Sequence, residues 1–347
     1  MKQQILLTLA IALLFALNLF VGTVDIPAHE VLRTLMGQPA ERASWAYIVM
    51  ESRLPGAVTA MLCGAALAAS GLMLQTAFHN PLAGPSILGI TNGASLGVAL
   101  VMLTLGGVLG GDLLGTDLHV GGLVALIVAA FIGSVLVMAV LLVFSSMVKD
   151  HLMLLIVGIM VGYLTGSLIT LLNVFATSDN VFQYVIWGMG SFTGVSLPQL
   201  PWFAGFTLLG LSLCLLLIKP LNALLLGDEY AQNLGFSIRR ARTSLLVSTG
   251  LLTAAATAFC GPVAFFGLAI PHIARLLIGT ENHKQLLPTT ILTGSLVALL
   301  CNLLCVMAGN LISHLFSLPA ATILPLNAVT PIIGMPVIIY VMLRRRH

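Results

Sequence analysis

Long runs of apolar residues, separated by short polar stretches, constrain this chain more than any other feature of its sequence. A helix needs about 20 predominantly apolar residues to cross the hydrocarbon core of a bilayer. Of the 347 residues, 59% are hydrophobic and only 7% are charged, whereas roughly 25% of the residues in soluble domains are charged. The sequence therefore predicts an all-α polytopic membrane protein, folded as a single transmembrane domain over residues 1–347.

Ten of these runs are predicted to be transmembrane helices. They lie near Ile5–Val24, Leu54–Phe78, Asn92–Leu109, Val120–Met147, Leu152–Ala176, Leu200–Ile218, Ala241–Ala258, Val263–Leu277, Leu286–Met307 and Val329–Leu343. With the N-terminus inside, only Arg33, Arg42 and Arg53 fall outside, which leaves 11 of the 14 Lys and Arg residues on the cytoplasmic side. Basic residues are enriched in cytoplasmic loops, so both termini are predicted to lie inside.

The first apolar run is interpreted as an uncleaved helix rather than a signal peptide. It is long for the apolar region of a signal peptide, and the stretch "NLFVGTVD" that ends it has no small-residue cleavage site. The segment Asp25–Ser52 is predicted to be an external excursion that is helical around His29–Met36.

Acidic residues and nucleotide-binding motifs are missing where a self-powered transporter would need them. No Asp or Glu falls inside the predicted spans, although ion-coupled carriers usually place an ionisable group near the bilayer midplane. No lysine lies in a G-x-x-x-x-G-K-[ST] phosphate-binding loop. We therefore expect no catalytic site in this chain and ATP hydrolysis by a separate partner. A secondary transporter that works without an ATPase is the alternative.

The cysteines and histidines are interpreted as structural rather than metal-binding. Cys301 and Cys305 share a helix face, but C-x-x-x-C alone is no zinc pattern. His272 lies within a short span and is predicted to pack there. The remaining histidines sit at predicted interfaces or chain ends, where a solvated imidazole is expected: His29, His79, His119, His151, His283, His314 and His347.

The stretch "FHNPLAGPSILGITNGASLG" breaks the helical pattern directly after a complete span. Pro81 and Pro85 prevent a continuous helix, and Asn92 is predicted to cap the next, short helix. Non-helical backbone at membrane depth persists only where it is buried in protein or lines a water-filled cavity. The break therefore indicates a translocation pathway, with an ordinary cytoplasmic turn as the alternative. The predicted pathway residues are Asn80, Pro81, Leu82, Pro85, Gly89, Asn92 and Gly93.

A second break, "CGPVAFFGLAIPHIARLLIG", follows another complete span and leads into a short helix that contains Pro271. The two breaks occupy matching places, and the spans that precede them run in opposite directions. Helices 2–5 and 7–10 could therefore form an inverted repeat around a central path.

A third distinctive segment, Lys219–Arg242, mixes charges with leucines between the sixth and seventh spans. It contains a helical candidate, Asp228–Leu234, between two glycines. Such a helix could fit a groove in a cytoplasmic partner, with Leu225, Leu226 and Leu234 on one side and Asp228 and Glu229 on another. From spacing alone, a solvated loop is the favoured interpretation.

Motifs across nearly the whole chain resemble those of the FecCD-type permeases, the membrane subunits of ATP-binding-cassette importers for iron-siderophores, haem and cobalamin. In order, the sequence contains "RLP", "GAALAASGLMLQ", "NPLAGPSILG", "GDEYAQNLG" and "PHIAR". The resemblance implies a ten-helix protomer that forms a homodimer in the bacterial inner membrane. It further implies two cytoplasmic ATPase subunits, which bind ATP and Mg²⁺, and an external substrate-binding protein. No cofactor of the chain itself and no nucleic-acid partner are implied.

The resemblance also assigns roles to individual residues. It places the ATPase-coupling helix at Gly227, Asp228, Glu229, Ala231, Leu234 and Gly235, which reverses the preference for a solvated loop. Arg53 of "RLP" corresponds to an arginine that docks the binding protein, although it could instead be a structural residue that snorkels at a helix start.

The departures from the family pattern lie mainly on the predicted outer face. Gly56 stands where the second arginine of R-L-P-R is usual, and Asn302 and Val306 stand in place of the charged residues of D-x-x-A-R. The usual E-L-P-x-G reads "ILPLN" at Ile323–Asn327. The geometry of binding-protein docking is therefore expected to be unusual. An iron chelate is the first choice of cargo only because such chelates are common in the family.

Overall fold

The structure, a computed structural model, describes residues 2–105, 120–147, 151–317 and 323–344. Within these ranges the helices are α1 (Lys2–Phe20), α2 (Ala28–Leu35), α3 (Ala43–Ile48), α4 (Leu54–Ala77), α5 (Ile90–Ala99), α6 (Val120–Met147), α7 (His151–Phe175), α8 (Ser178–Gly188), α9 (Leu200–Leu216), α10 (Ile218–Leu224), α11 (Asp228–Asn233), α12 (Ile238–Cys260), α13 (Phe266–Ile278), α14 (His283–Leu315) and α15 (Leu326–Arg344). Two π-helical segments, Val49–Arg53 and Leu100–Leu105, adjoin α4 and α5. The predictions for His119, His347 and the basic residues Lys149, Arg345 and Arg346 lie outside the described residues.

The predicted all-α polytopic fold is confirmed. In the described ranges, six helices are long and apolar enough to cross a membrane: α1, α4 with the helical residues before it, α6, α7, α12 and α14. The pair α9 and α10 passes the same test together but is bent by 52°. Three shorter apolar helices run through α5, α13 and α15. These ten elements correspond to the ten predicted spans, although the third span can be followed only to Leu105.

Several helix boundaries differ from the prediction. Helix α1 ends at Phe20 instead of Val24, whereas α14 extends over 33 residues. Helix α8 was not predicted, because 11 residues with only modest apolarity do not stand out in a search for spans. Its first turn is capped by Thr177, whose side chain accepts a hydrogen bond from the amide of Asn180. Helix α2 lies within the predicted helical part of the external excursion.

Helix α4 is the centre of the bundle and α7 lies at its edge. In the apolar stretch around α4, 83% of the residues are buried, against 17% in α7. Helices α12, α13 and α14 pack around α4, and glycines allow their backbones to come close. A methyl group added at Gly64 would overlap the carbonyl oxygen of Gly294 on α14, and one at Gly71 would overlap that of Gly267 on α13. Small residues are what allow such close helix contacts in membranes.

The two ends of the bundle carry different elements. Helices α4 and α14 are antiparallel, because Gly64 contacts Gly294 while Thr76 contacts His283. We call the end that holds α10, α11 and the start of α14 the α11 end. We call the opposite end, which holds α2 and α3, the α2 end.

The close contact at Gly71 predicts a specific sensitivity. Gly71→Ala is expected to destabilise the protein by about 1–3 kcal/mol, because the added methyl group must push α4 and α13 apart. Thermal unfolding of the purified protein in detergent measures the effect. Gly205→Ala on α9 is the control, since nothing lies within 4 Å of a methyl group there. Equal losses in the two variants would contradict this account of α4 packing.

Candidate functional site

The broken segment between α4 and α5 is a series of hydrogen-bonded turns rather than an open loop. The side-chain oxygen of Asn80 accepts a hydrogen bond from the amide of Leu82 at 2.9 Å, and its carbonyl accepts one from the amide of Ala83 at 3.0 Å. Gly89 adopts a left-handed conformation, with φ of 75°, and turns the chain into α5. The prediction that Asn92 caps this helix is wrong, because the left-handed Gly89 occupies the cap position and Asn92 lies one turn inside.

Helices α13, α7 and α6 of the same protomer hold this segment in place. The ring Nε2 of His272 on α13 lies 2.9 Å from the carbonyl oxygen of Pro81, so this histidine packs structurally as predicted. Gly89 lies against α7, and Gly93 packs directly on the backbone of α6. Pro85, Gly89 and Gly93 are buried, while Asn80, Pro81, Leu82 and Asn92 are half-buried. The seven predicted residues thus lie together at the connection between α4 and α5. Their role in a pathway stays a prediction.

The second break, residues 261–265, is stabilised by a single side chain on α15. Asn327 donates from Nδ2 to the carbonyl oxygens of Pro262, at 2.6 Å, and Gly188, at 3.2 Å. Its Oδ1 accepts from the amide of Ala264 at 3.2 Å. Backbone groups that a continuous helix would have satisfied are therefore satisfied by one amide side chain. Asn327 was noted in the sequence only as a departure from a motif, and its bridging role had no sequence signal.

Helix α11 lies between two glycines with positive φ, as the sequence predicts. Gly227 has φ of 99° and Gly235 has φ of 86°. The helix is fixed to the start of α12 by an ion pair in which Arg242 Nη2 lies 2.6 Å from Asp228 Oδ2. Ala231 is fully buried against the protomer. The methyl group of Ala231 therefore offers no surface to a partner, and the place of Ala231 in a coupling helix stays a prediction.

One exposed side of this segment is apolar. Tyr230 and Leu234 stand on successive turns and are 53% and 54% exposed, and Leu226, just before the helix, is 62% exposed. Glu229 is also exposed. The sequence prediction included Leu226, Leu234 and Glu229 but missed Tyr230. The four-residue spacing of these apolar side chains was the available signal.

At the α2 end, Arg53 is a helix cap. Its side chain is only 8% exposed. Nη1 donates to the carbonyl oxygens of Leu19 and Phe20, each at 2.9 Å, and Nη2 donates to that of Val24. The last carbonyls of a helix have no partner within the helix, and a cation there also interacts favourably with the helix dipole. These contacts support the structural role for Arg53, and its docking role stays a prediction.

The positions that depart from the family motifs lie beside Arg53. Gly56, Asn302, Val306 and Ile323 line one small cleft at the α2 end, together with Arg53. Asn302 does not point to a partner, since its Nδ2 donates to Asn18 Oδ1 on α1 at 2.8 Å. The cleft therefore has one buried cation and otherwise neutral walls.

The two other arginines predicted outside also contact their own protomer. Arg33 Nη1 donates to Glu30 Oε1 at 2.9 Å, and Arg42 lies 4.8 Å from the centre of the Trp45 ring. Glu30 is buried, and the hydrogen bond from the amide of Glu41 lowers the pKa of its carboxyl group. The contacts of the buried Glu30 with Arg33 and Glu41 help to fix the fold of the excursion between α1 and α4.

The cysteines form no metal site in the part of the chain that the structure describes. All five are free thiols in buried positions. Among the described residues, no group of three His, Cys, Asp or Glu side chains is placed to hold a metal ion.

Comparisons with known proteins place these features in context. Residues 9–344 match the FecCD transport family. The vitamin B12 import system permease protein BtuC of Klebsiella pneumoniae subsp. pneumoniae is 35% identical over 340 residues, which cover 98% of this chain and 93% of that protein. The BtuC protein of Citrobacter koseri is 33% identical over 299 residues, covering 86% of this chain and 84% of that one. A solved structure assigned to a metal-chelate type ABC transporter, in an inward-facing conformation, matches with a TM-score of 0.80 at 28% identity and covers 99% of each chain.

The capping role of Arg53 makes a prediction about the isolated protein. Arg53→Ala is expected to lower the unfolding temperature, because hydrogen bonds from a charged group are each worth about 1.5–3 kcal/mol and three carbonyl oxygens lose their donor. Thermal unfolding without any binding protein measures this. Arg42→Ala, which removes an exposed arginine at the same end, is the control and is expected to change little. Unchanged unfolding of Arg53→Ala with impaired docking would instead support the docking role.

Proposed function

The chain belongs to the FecCD transport family, and on that basis we propose that it is the membrane-spanning permease subunit of a bacterial ATP-binding-cassette importer. In this proposal the α11 end faces the cytoplasm, where both termini lie, and the α2 end receives cargo from a substrate-binding protein. Two ATPase subunits bind ATP and Mg²⁺ and hydrolyse the nucleotide. The permease itself, a single domain over residues 1–347, carries out no covalent chemistry.

The observation that carries the proposal is the exposed apolar side of α11 on a firmly held helix. A docking helix needs exposed side chains that can enter a groove of the partner. It also needs to be held firmly against the rest of its own protomer. Tyr230 and Leu234 supply the first, and the buried Ala231 with the Asp228–Arg242 ion pair supplies the second. A merely solvated loop would need neither feature.

The exposed surface of α7 supports a homodimer. This helix presents Tyr163, Ser167 and Thr170 on one exposed side, and Tyr163 is 70% exposed in the protomer. Polar groups that face lipid are costly, whereas the same groups can line an aqueous path or meet a second copy. We therefore propose that this side of α7 faces the two-fold axis, where the cargo path would run.

The proposed mechanism is alternating access. ATP binding and hydrolysis in the partner subunits move α11, and the packed helices rock so that the central path opens to one side at a time. The close backbone contacts of α4 favour movement of whole helices over rearrangement within the core.

The proposed cargo is cobalamin or a metal chelate. The relatives reported above are named as vitamin B12 permeases, and the solved structure is assigned to the metal-chelate type. Cobalamin therefore becomes the first cargo to test, ahead of the iron chelate, which came first only because such chelates are common cargo in the family. Ferric siderophores and haem are the other candidates.

The proposal predicts ATPase activity that responds to loaded binding protein. The permease and its candidate ATPase are reconstituted in lipid discs, and binding protein loaded with cobalamin, a ferric siderophore or haem is added in turn. We expect one loaded form to stimulate ATP hydrolysis above the level with empty binding protein. Transport without any ATPase, together with no complex formation, would instead establish the secondary-transporter alternative.

The exposed side of α11 predicts which substitutions weaken ATPase binding. Tyr230→Ala and Leu234→Ala are each expected to weaken the complex by about 5- to 30-fold, the effect of losing one or two kcal/mol at a contact that excludes water. Gln232→Ala is the matched control, because Gln232 is exposed on a different side of the same helix. Affinity for the ATPase in detergent is the measurement. If Gln232→Ala weakens the complex as much as Tyr230→Ala, the assigned contact face is wrong.

A further inference from the structure

A chain of polar side chains joins α10 to two other helices at the α11 end. Asn222, on α10, accepts a hydrogen bond at Oδ1 from the backbone amide of His283 at 2.9 Å. Its Nδ2 donates to Asn282 Oδ1 at 3.1 Å. Asn282 is itself the cap of α14 and accepts from the amide of Lys284. Asn222 thus completes the cap of α14 from a different helix.

His283 extends this chain to α4. Its ring Nδ1 lies 3.0 Å from Asn222 Oδ1, and its Nε2 lies 2.9 Å from Thr76 Oγ1 on α4. Because Asn222 Oδ1 is an acceptor, Nδ1 is the ring atom that donates to it. His283 is fully buried. The sequence interpretation of a solvated histidine is wrong here, because α10 and α4 cover the start of α14.

A second hydrogen bond connects α10 with the chain just after α4. His79, in the segment after α4, places Nε2 at 2.8 Å from the carbonyl oxygen of Leu224, the last residue of α10. That carbonyl also accepts from the amide of Gly227, where α11 begins. The end of α10 is thus bonded to the segment that follows α4. Helix α10 itself is bent by 52° relative to α9.

These hydrogen bonds connect α10, which lies next to α11, with α4 and α14. A movement of α11 would therefore reach the membrane helices through them. Helices α10 and α11 are joined by a three-residue turn with its own backbone hydrogen bonds, from Leu226 to Ala223 and from Gly227 to Leu224. The two helices are therefore expected to move together. Apolar contacts are non-directional and allow helices to slide, whereas hydrogen bonds hold a defined distance and angle. A displaced α10 would pull on α4 and α14 through its polar links.

We propose that Asn222, His283 and Thr76 are positioning residues that transmit the movement of α10 and α11 to α4 and α14. They set how much cargo is transported for each ATP hydrolysed. This inference rests on the proposed function as an ABC importer subunit. It assigns these side chains to coupling rather than to cargo binding or to ATPase binding.

Paired threonine substitutions separate this role from a general loss of packing. Thr76→Val removes the hydroxyl group at nearly constant shape, and Thr76→Ser keeps the hydroxyl group. Thr290→Val is the matched control, because Thr290 is also buried and its hydroxyl group bonds to its own helix at Leu286, as that of Thr76 can at Leu72. Among the described residues, however, the Thr290 hydroxyl group has no hydrogen bond to another helix. Asn222→Ala tests the other side of His283.

The experiment uses the complete reconstituted transporter with loaded binding protein, and it measures cargo transported and ATP hydrolysed in the same vesicles. We expect Thr76→Val and Asn222→Ala to lower the ratio of transport to hydrolysis by about fivefold, as the loss of one buried hydrogen bond would. Complex assembly and ATP hydrolysis are expected to persist. Thr76→Ser and Thr290→Val are expected to keep the wild-type ratio. The Thr76→Val and Asn222→Ala double variant should be little worse than either single variant, because both break one chain.

Other results overturn the inference. A wild-type ratio in both Thr76→Val and Asn222→Ala would show that this chain of side chains does not transmit movement. An equal fall in Thr290→Val would assign the effect to packing. Failure of the wild-type protein to couple transport to ATP would overturn the proposed function, and with it this inference, whereas a coupled wild type with insensitive variants overturns the inference alone.

Discussion

The cost of leaving backbone amides and carbonyls without partners in an apolar environment governs this structure. A continuous helix meets that requirement by itself, but this chain interrupts its helices at several points within the bundle. At three places where a helix begins, ends or is interrupted, a polar side chain from elsewhere in the sequence bonds to the backbone. Asn327 donates to a backbone carbonyl in the break before α13, and Arg53 donates to carbonyls at the end of α1. Asn222 accepts from a backbone amide at the start of α14. At these three places a side chain supplies a hydrogen bond that the helix itself cannot.

Close packing of the helices depends on small residues at their contacts. Where α4 meets α13 and α14, glycines bring backbone against backbone, and few bulky side chains intervene. Polar links between the helices supplement these contacts. Near the α11 end, Gln75 on α4 accepts a hydrogen bond from Arg275 at 2.6 Å and donates to the carbonyl oxygen of Leu268 on α13 at 3.1 Å. Near the middle, Ser70 lies 3.0 Å from Thr253 on α12. The helices around α4 are thus joined both by shape and by directional bonds.

Apolar periodicity and length were enough to predict the class of fold and the ten membrane elements, because both follow from the thickness of a bilayer. The glycine-bracketed helix α11 was also predictable, since glycine at positive φ ends and begins helices. What the sequence could not show was which side of a short helix faces the protein. The burial of Ala231 and the exposure of Tyr230 depend on the ion pair with α12 and on the position of α10. The burial of His283 likewise depends on contacts more than 60 residues away in the sequence. The proposed inverted repeat of helices 2–5 and 7–10 stays a prediction.

The distribution of these bonds has a consequence for how such a protein can move. Helices α4, α12, α13 and α14 are joined by close contacts and by polar links, so a force that displaces one of them acts on all four. Among the described long apolar helices, α7 is the least buried, so packing within the described part of the protomer restrains it least. Because packed interfaces change between discrete arrangements more readily than they deform, the four-helix unit is expected to rotate as one body. A partner that bound α11, as proposed, would then change the relative position of that unit and α7 rather than the internal packing of either.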